Sequence, residues 1–184
     1  MQKHNPAILP EHDEDFFAWT QHQAELLRAC RSSASKLPTG IDLEHLAEEI
    51  EDLGKAELRG AKSLIRQIFV HLIKAASQPN SEALGHWRSE AMEFGFQLPD
   101  YYAPSMRRLI DVQDLWSKAL KGAATNLREH DASLAPGLPK VCPFTVEEAV
   151  AEDFDFDKAL ARLTDGLGSA GDLRRRPGRP KQPK

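Results

Sequence analysis

The stretch from Asp42 to Ser77, DLEHLAEEIEDLGKAELRGAKSLIRQIFVHLIKAAS, decides the fold. Asp42 is a good N-cap, because its carboxylate can accept one of the backbone N–H groups that a helix start leaves without a partner. Leu43, Leu46, Ile50 and Leu53 then step by three, four and three residues, which places them on one side of a helix as a heptad-like stripe. Leu58, Ala61, Ile65, Ile68 and Leu72 continue the period after a one-residue phase shift. Leu64, Phe69 and Ile73 widen the apolar face, so the second half is expected to be more fully buried than the first. One continuous helix over 42–77 would span about 54 Å at 1.5 Å per residue. Gly54 and Gly60 interrupt it at a cost of about 1 kcal/mol each against Ala, and mark where it bends or admits a close neighbour. Gln78-Pro79-Asn80 ends it, since proline cannot continue the hydrogen-bond ladder.

The same spacing argument extends outward in both directions. Phe16, Phe17, Thr20, Ala24 and Leu27 predict a first helix, with Asp13 as its cap and a start near Glu14. Ser32–Gly40 reads as a loop. A third helix is expected over Ser81–Gln97, broken by Leu98-Pro99-Asp100. A fourth is expected from Pro104, carrying Met106, Leu109, Ile110, Leu115, Trp116, Leu120 and Leu127. Asp131–Pro143 reads as a loop. Thr145 and Glu148 form a capping box, in which each side chain accepts from the other residue's backbone N–H, and open a short fifth helix. A further helical segment is expected over Asp157–Leu163. No segment alternates as a strand with hairpin turns. The fold class is therefore all-α, a four- or five-helix bundle with one long central helix. The expected organisation is a flexible N-terminus at 1–12, a helical domain at 13–165 and a disordered basic tail at 166–184.

With 41% hydrophobic and 28% charged residues, the chain can build one core. No apolar run is long enough to span a bilayer, and the first ten residues lack the apolar segment of a secretory signal. Two cysteines far apart, Cys30 and Cys142, argue for a reducing compartment, and a cytoplasmic protein is expected. The net charge of −4 is unevenly spread. Arg174, Arg175, Arg176, Arg179, Lys181 and Lys184 crowd the last eleven positions without an acid, which leaves the body near −10. An acidic body repels nucleic acid and anionic lipid, so contact with nucleic acid is expected through the tail alone and no membrane is expected as partner.

Three patterns could carry chemistry. His45, Glu48 or Glu49, and Asp52 recur at i, i+3 or i+4, and i+7 of the long helix, an imidazole and carboxylates suited to zinc, iron or manganese. The competing reading is a solvated acidic stripe favoured by the helix dipole. Cys142 precedes the capping box, and a thiolate beside a helix N-terminus has its pKa lowered, which would make it nucleophilic or redox-active. No CxxC accompanies it, and a half-buried structural cysteine is the plainer reading. Third, Arg175-Arg176-Pro177-Gly178-Arg179-Pro180-Lys181 resembles an AT-hook. Gly178 lets the backbone approach the floor of a minor groove, Arg179 can enter it, and Arg176 and Lys181 can flank it. Pro177 stands where the usual motif has its first arginine. His71, inside Ile68-Phe69-Val70-His71-Leu72-Ile73, reads as a packing residue, because no partner for a base is visible. P-loop, GxGxxG, GxSxG, HExxH and zinc-finger spacings do not occur, so no cofactor and no catalytic residue is expected.

Three stretches together resemble a known family. They are Asp15-Phe16-Phe17-Ala18-Trp19 with Leu26-Leu27-Arg28, the run from Asp42 to Gly54, and Cys142-Pro143-Phe144-Thr145-Val146-Glu147-Glu148. Trp87-Arg88 and Ala103-Pro104-Ser105-Met106 add to them. The chain resembles bacterial domain-of-unknown-function family twenty-nine over Asp13 to Phe156. The resemblance implies an α-helical fold and assigns no activity, and the basic tail lies outside it. The reading that joins these observations is a helical interaction module that meets a protein partner or a second copy through the long helix, with AT-rich DNA binding by the tail and metal-dependent catalysis by the acidic face as the alternatives.

Overall fold

The computed structural model describes residues 11–30, 37–38 and 40–172. Their regular elements are all helices, without a strand among the described residues. The helices are α1 (Phe16–Cys30), α2 (Leu43–Ser77), α3 (Leu84–Gln97), α4 (Val112–Arg128), α5 (Val146–Ala149) and α6 (Phe156–Asp172), with 3-10 turns at Leu98–Asp100 and Pro104–Leu109 between α3 and α4. The all-α class and the single long helix are as the periodicity requires.

The chain sorts into two compact units, where the sequence reads as one domain. Of the described residues, the first takes those through Leu64 together with Gln97–Ile110, and the second takes Ile65–Phe96 together with Asp111–Asp172. Helix α2 supplies its first half to one and its second half to the other.

In the first unit, α1 is capped by Asp15, whose Oδ1 accepts from the Ala18 N–H at 2.8 Å. Asp13, the residue expected in that role, is exposed and faces His12 instead. The same Asp15 carboxylate also accepts from the Ser105 hydroxyl at 2.8 Å, which ties the start of α1 to the Pro104–Leu109 turn. Gly54 and Gly60 serve as close-approach positions within an unbroken α2. A Cβ on Gly54 would stand 2.1 Å from Thr20 Oγ1, and one on Gly60 would stand 2.4 Å from the Tyr101 ring. Absence of a side chain lets α1 and the aromatic turn press onto the helix backbone. Toward the C-terminal end of α1, Arg28 ties it to α2 by donating to Glu51 at 2.6 Å.

In the second unit, the core is built on Phe69, Trp116 and Phe144. Phe69 meets Trp116 edge to face at 5.5 Å between centroids and stacks on Phe144 at 5.6 Å. The indole N–H of fully buried Trp116 donates to the Pro139 carbonyl at 2.9 Å, so its polar atom is not stranded. The loop expected over Asp131–Pro143 is thereby fastened to α4, and Gln113 adds two bonds, to Lys140 O and from Cys142 N–H. The fourth helix does not start at Pro104. Extended backbone at Ile110 and Asp111 separates a 3-10 turn from α4, and Asp111 caps α4 by accepting from Asp114 N–H. The capping box at Thr145 and Glu148 forms in full. Helix α6, capped by Asp155, runs well past the expected Leu163 to Asp172, through Gly166, Gly168 and Gly171, which helix propensity disfavours.

Candidate interaction surface

The stripe that decides the fold is bare along its first half. Within the first unit, Leu46 is 46% exposed and Leu53 is 54% exposed, seven residues apart on one face of α2, with half-buried Ile50 between them. Helix α1 covers only the neighbouring side, where Ala47 and Gly54 lie buried. Around the bare stripe stand Asp42, Glu44, Glu48, Glu49 and Asp52, all exposed.

One turn beyond Leu53 on the same face, Glu57 enters the wall of a cleft of about 480 Å³. Phe16, Tyr101 and Tyr102 contribute rings to that wall, and Asp13 and Asp100 contribute carboxylates. The Tyr101 ring lies over Gly60, so the helix backbone itself sets where this wall stands. Among the described residues Glu57 has no hydrogen bond or ion pair, and neither has Glu49. Carboxylates beside aromatic faces are the chemistry that receives an ammonium or guanidinium group.

The metal set read from the sequence is not brought together. His45 Nδ1 turns back to Asp42 Oδ2 at 2.6 Å, an interaction that raises the His45 pKa and lowers that of Asp42. Asp52 is taken by Lys55 Nζ at 3.0 Å. Glu48 and Glu49 remain in solvent. His45 and Asp52 are separated by about 10 Å of helix rise, too far for one ion to bridge with their side chains. No three His, Cys, Asp or Glu among the described residues are arranged to hold a metal ion.

Cys142 is half-buried, as in the plainer of its two readings, and lacks the lowered pKa that the redox reading requires. Burial pushes its thiol pKa up rather than down, and the Sγ–H donates to the Phe144 carbonyl at 3.4 Å. Helix α5 has only four residues, too short to supply the dipole that would draw out a thiolate. Arg176, Gly178, Arg179 and Lys181 lie outside the described residues.

The second unit holds groups that the sequence reading left in the background. His71 is buried, its Nε2 stands 3.4 Å from Glu90 Oε2, and its Nδ1 has no hydrogen-bond partner. Loss of solvent, aided by the nearby Lys74 charge, pushes its pKa down to about 4. The imidazole is therefore neutral at physiological pH, in keeping with a packing role. His86 reaches the same Glu90 oxygen at 3.2 Å.

An all-helical protein that exposes an acid-flanked apolar helix face is the class that fold and surface define. The chain belongs to the family described as Domain of unknown function DUF29, whose model matches residues 12–155. Among solved structures it is similar to an alpha-helical protein of unknown function from Rhodospirillum rubrum, at 41% identity and a TM-score of 0.81, over 84% of this chain and 98% of that one. No curated protein matches it. No helix among the described residues is long and apolar enough to cross a membrane.

Proposed function

We propose that this protein is an interaction module that receives a basic amphipathic helix of another protein along the first half of α2. The observation that carries the reading is the exposure of Leu46 and Leu53 on one face of a structured helix. An apolar stripe of this kind is what a partner helix covers with its own i, i+3, i+4 and i+7 side chains. The choice of occupant rests on charge. Glu48, Glu49, Asp52 and Glu57 flank the stripe, so a partner with lysine or arginine beside its apolar face is favoured. A second copy of this chain would bring the same carboxylates against them. The acid-lined aromatic cleft beyond Leu53 suits one cationic side chain of such a partner. A reducing cytoplasm fits the reading, since Cys30 and Cys142 are both free thiols.

The test titrates a labelled lysine–leucine amphipathic peptide into the full chain and into Leu46→Glu/Leu53→Glu, at two salt concentrations. Saturable binding that weakens with salt and drops about tenfold or more in the double variant, roughly 1.4 kcal/mol or more, is expected. Sedimentation of the full chain alone provides the second arm. A dimer that dissociates in the same double variant would make the occupant a second copy. Monomer alone with no peptide binding would overturn the reading.

A further inference from the structure

The second unit contains a cleft of about 530 Å³, within the size range of small-molecule sites, between the end of α2, the start of α3 and the end of α4. Its walls are rich in donors. Lys74 comes from α2, His86 and Trp87 from α3, Asn126 from α4, and His130 follows α4. Glu82 is the one carboxylate in the lining. The first turn of α3 also borders the cleft, and a helix start presents partial positive charge.

Lys74 is the unusual member. Its ammonium is partly withdrawn from solvent, yet among the described residues it has neither a hydrogen bond nor an ion pair. Its contact is with a ring face, with Nζ 4.8 Å from the centroid of buried Trp87. Glu90, the nearest candidate for a counter-charge, turns instead to His71 and His86. The loss of solvent lowers the Lys74 pKa, and the nearby Glu90 carboxylate offsets this only in part. A lysine in the last turn of a helix is favoured by the dipole, but that interaction is satisfied in open solvent. It requires neither an aromatic platform nor a donor-lined cleft.

We propose that this cleft binds a small oxyanion, a carboxylate or phosphate group, with Lys74 as its counter-charge and Asn126 and His130 as further hydrogen-bond donors. Trp87 holds the ammonium over its ring at the cleft wall, which limits the freedom the lysine loses on binding. This site is independent of the α2 face and would stand if that reading failed.

The experiment follows the Trp87 indole N–H resonance, assigned with Trp87→Phe, in the full chain. Sodium phosphate and sodium acetate are titrated separately to millimolar concentrations, with chloride holding ionic strength constant. A saturable shift with phosphate, acetate or both is expected. Lys74→Met should weaken it about tenfold or more, the contribution of one charge-assisted hydrogen bond, while Lys74→Arg should retain most of it. Asn126→Ala, at an exposed position, gives a second variant should Lys74→Met fail to fold, and several-fold weaker binding is expected there. Saturation by phosphate alone identifies a phosphoryl ligand, and by acetate alone a carboxylate. Absence of saturation with both anions, or a shift that survives both Lys74→Met and Asn126→Ala unchanged, would overturn the proposal.

Discussion

Two halves of one helix can be set side by side. From Leu43 to Leu64, α2 presents Leu46 and Leu53 to solvent, accepts neighbours over Gly54 and Gly60, and dresses its flank with carboxylates. From Ile65 to Ala76 all but Arg66, Gln67 and Lys74 are buried, including His71. The apolar period is the same in both. The difference lies in how far round the helix the apolar residues extend. In the second half Phe69, Val70 and Ile73 widen the stripe to most of the circumference, and such a surface has to be enclosed. In the first half the stripe is one residue wide and bordered by acids, so its exposure is tolerable and the face stays available. Periodicity thus says which side of a helix is apolar, while the width of that side says whether the chain's own core covers it.

The largest effect that would test this contrast lies in the second unit. Trp116→Ala removes a fully buried ring, its edge-to-face contact with Phe69 and its bond to Pro139. A loss of about 3–5 kcal/mol is expected, measured by urea unfolding. A loss below about 1 kcal/mol, within the range of surface substitutions, would mean that this half is not the rigid core described.

His71 sharpens the same contrast through pH. Its folded pKa of about 4 lies below the ordinary 6.5, so the folded state binds fewer protons than the unfolded chain between these values. Stability from this group is complete above pH 6.5 and is lost as pH falls toward 4. The integrated loss is about 3 kcal/mol at most, from 1.36 kcal/mol per pKa unit. Urea unfolding of the wild type and His71→Gln between pH 7 and pH 4 should show a steeper decline in the wild type. Parallel curves would mean that the imidazole is far less buried than the geometry gives.

Glycines separate the two units more finely. Gly54→Ala forces a methyl into fully buried Thr20, and a loss of about 1–3 kcal/mol is expected despite the gain in helix propensity. Gly122→Ala in α4 meets Val70 Cγ2 at 3.5 Å, an ordinary contact, so a gain of up to about 1 kcal/mol is expected. Thermal unfolding of both variants checks the opposite signs. If both stabilise, α1 does not press on α2 as closely as described.

Much of this was legible in the residues themselves. The long helix, its cap at Asp42, the loop before the capping box and the box at Thr145 all follow from local spacing and side-chain chemistry. Two glycines in one helix already announced a bend or a close approach, and Thr20 and Tyr101 decide for approach. The break before α4 was not legible, because Asp111 competes with Pro104 as a helix start and only tertiary packing selects between them. The reach of α6 was not legible either, since its glycines argue locally for an earlier end. Both clefts escaped sequence reading for a different reason. The first joins residues near 13–17, 57 and 99–106, and the second joins 74–87 with 126–132. Neither has a local spacing to detect. Only Tyr101-Tyr102 after a proline turn and the clustering of His71 with Lys74 hinted at them.

The smallest expected effect bears most directly on function. Leu53→Ser shortens a side chain that already stands in water, so no buried contact and no cavity is at stake. Its effect on unfolding free energy should stay within about 0.5 kcal/mol of zero, as for ordinary surface positions. A neutral result places the leucine outside the folding core and leaves its exposed side chain available to a partner. A loss of 2 kcal/mol or more, the range of about 2–5 kcal/mol seen when buried leucines are truncated, would instead mean that the first half of α2 is enclosed by its own chain. The contrast between the two halves would then disappear, and with it the surface on which the interaction reading rests.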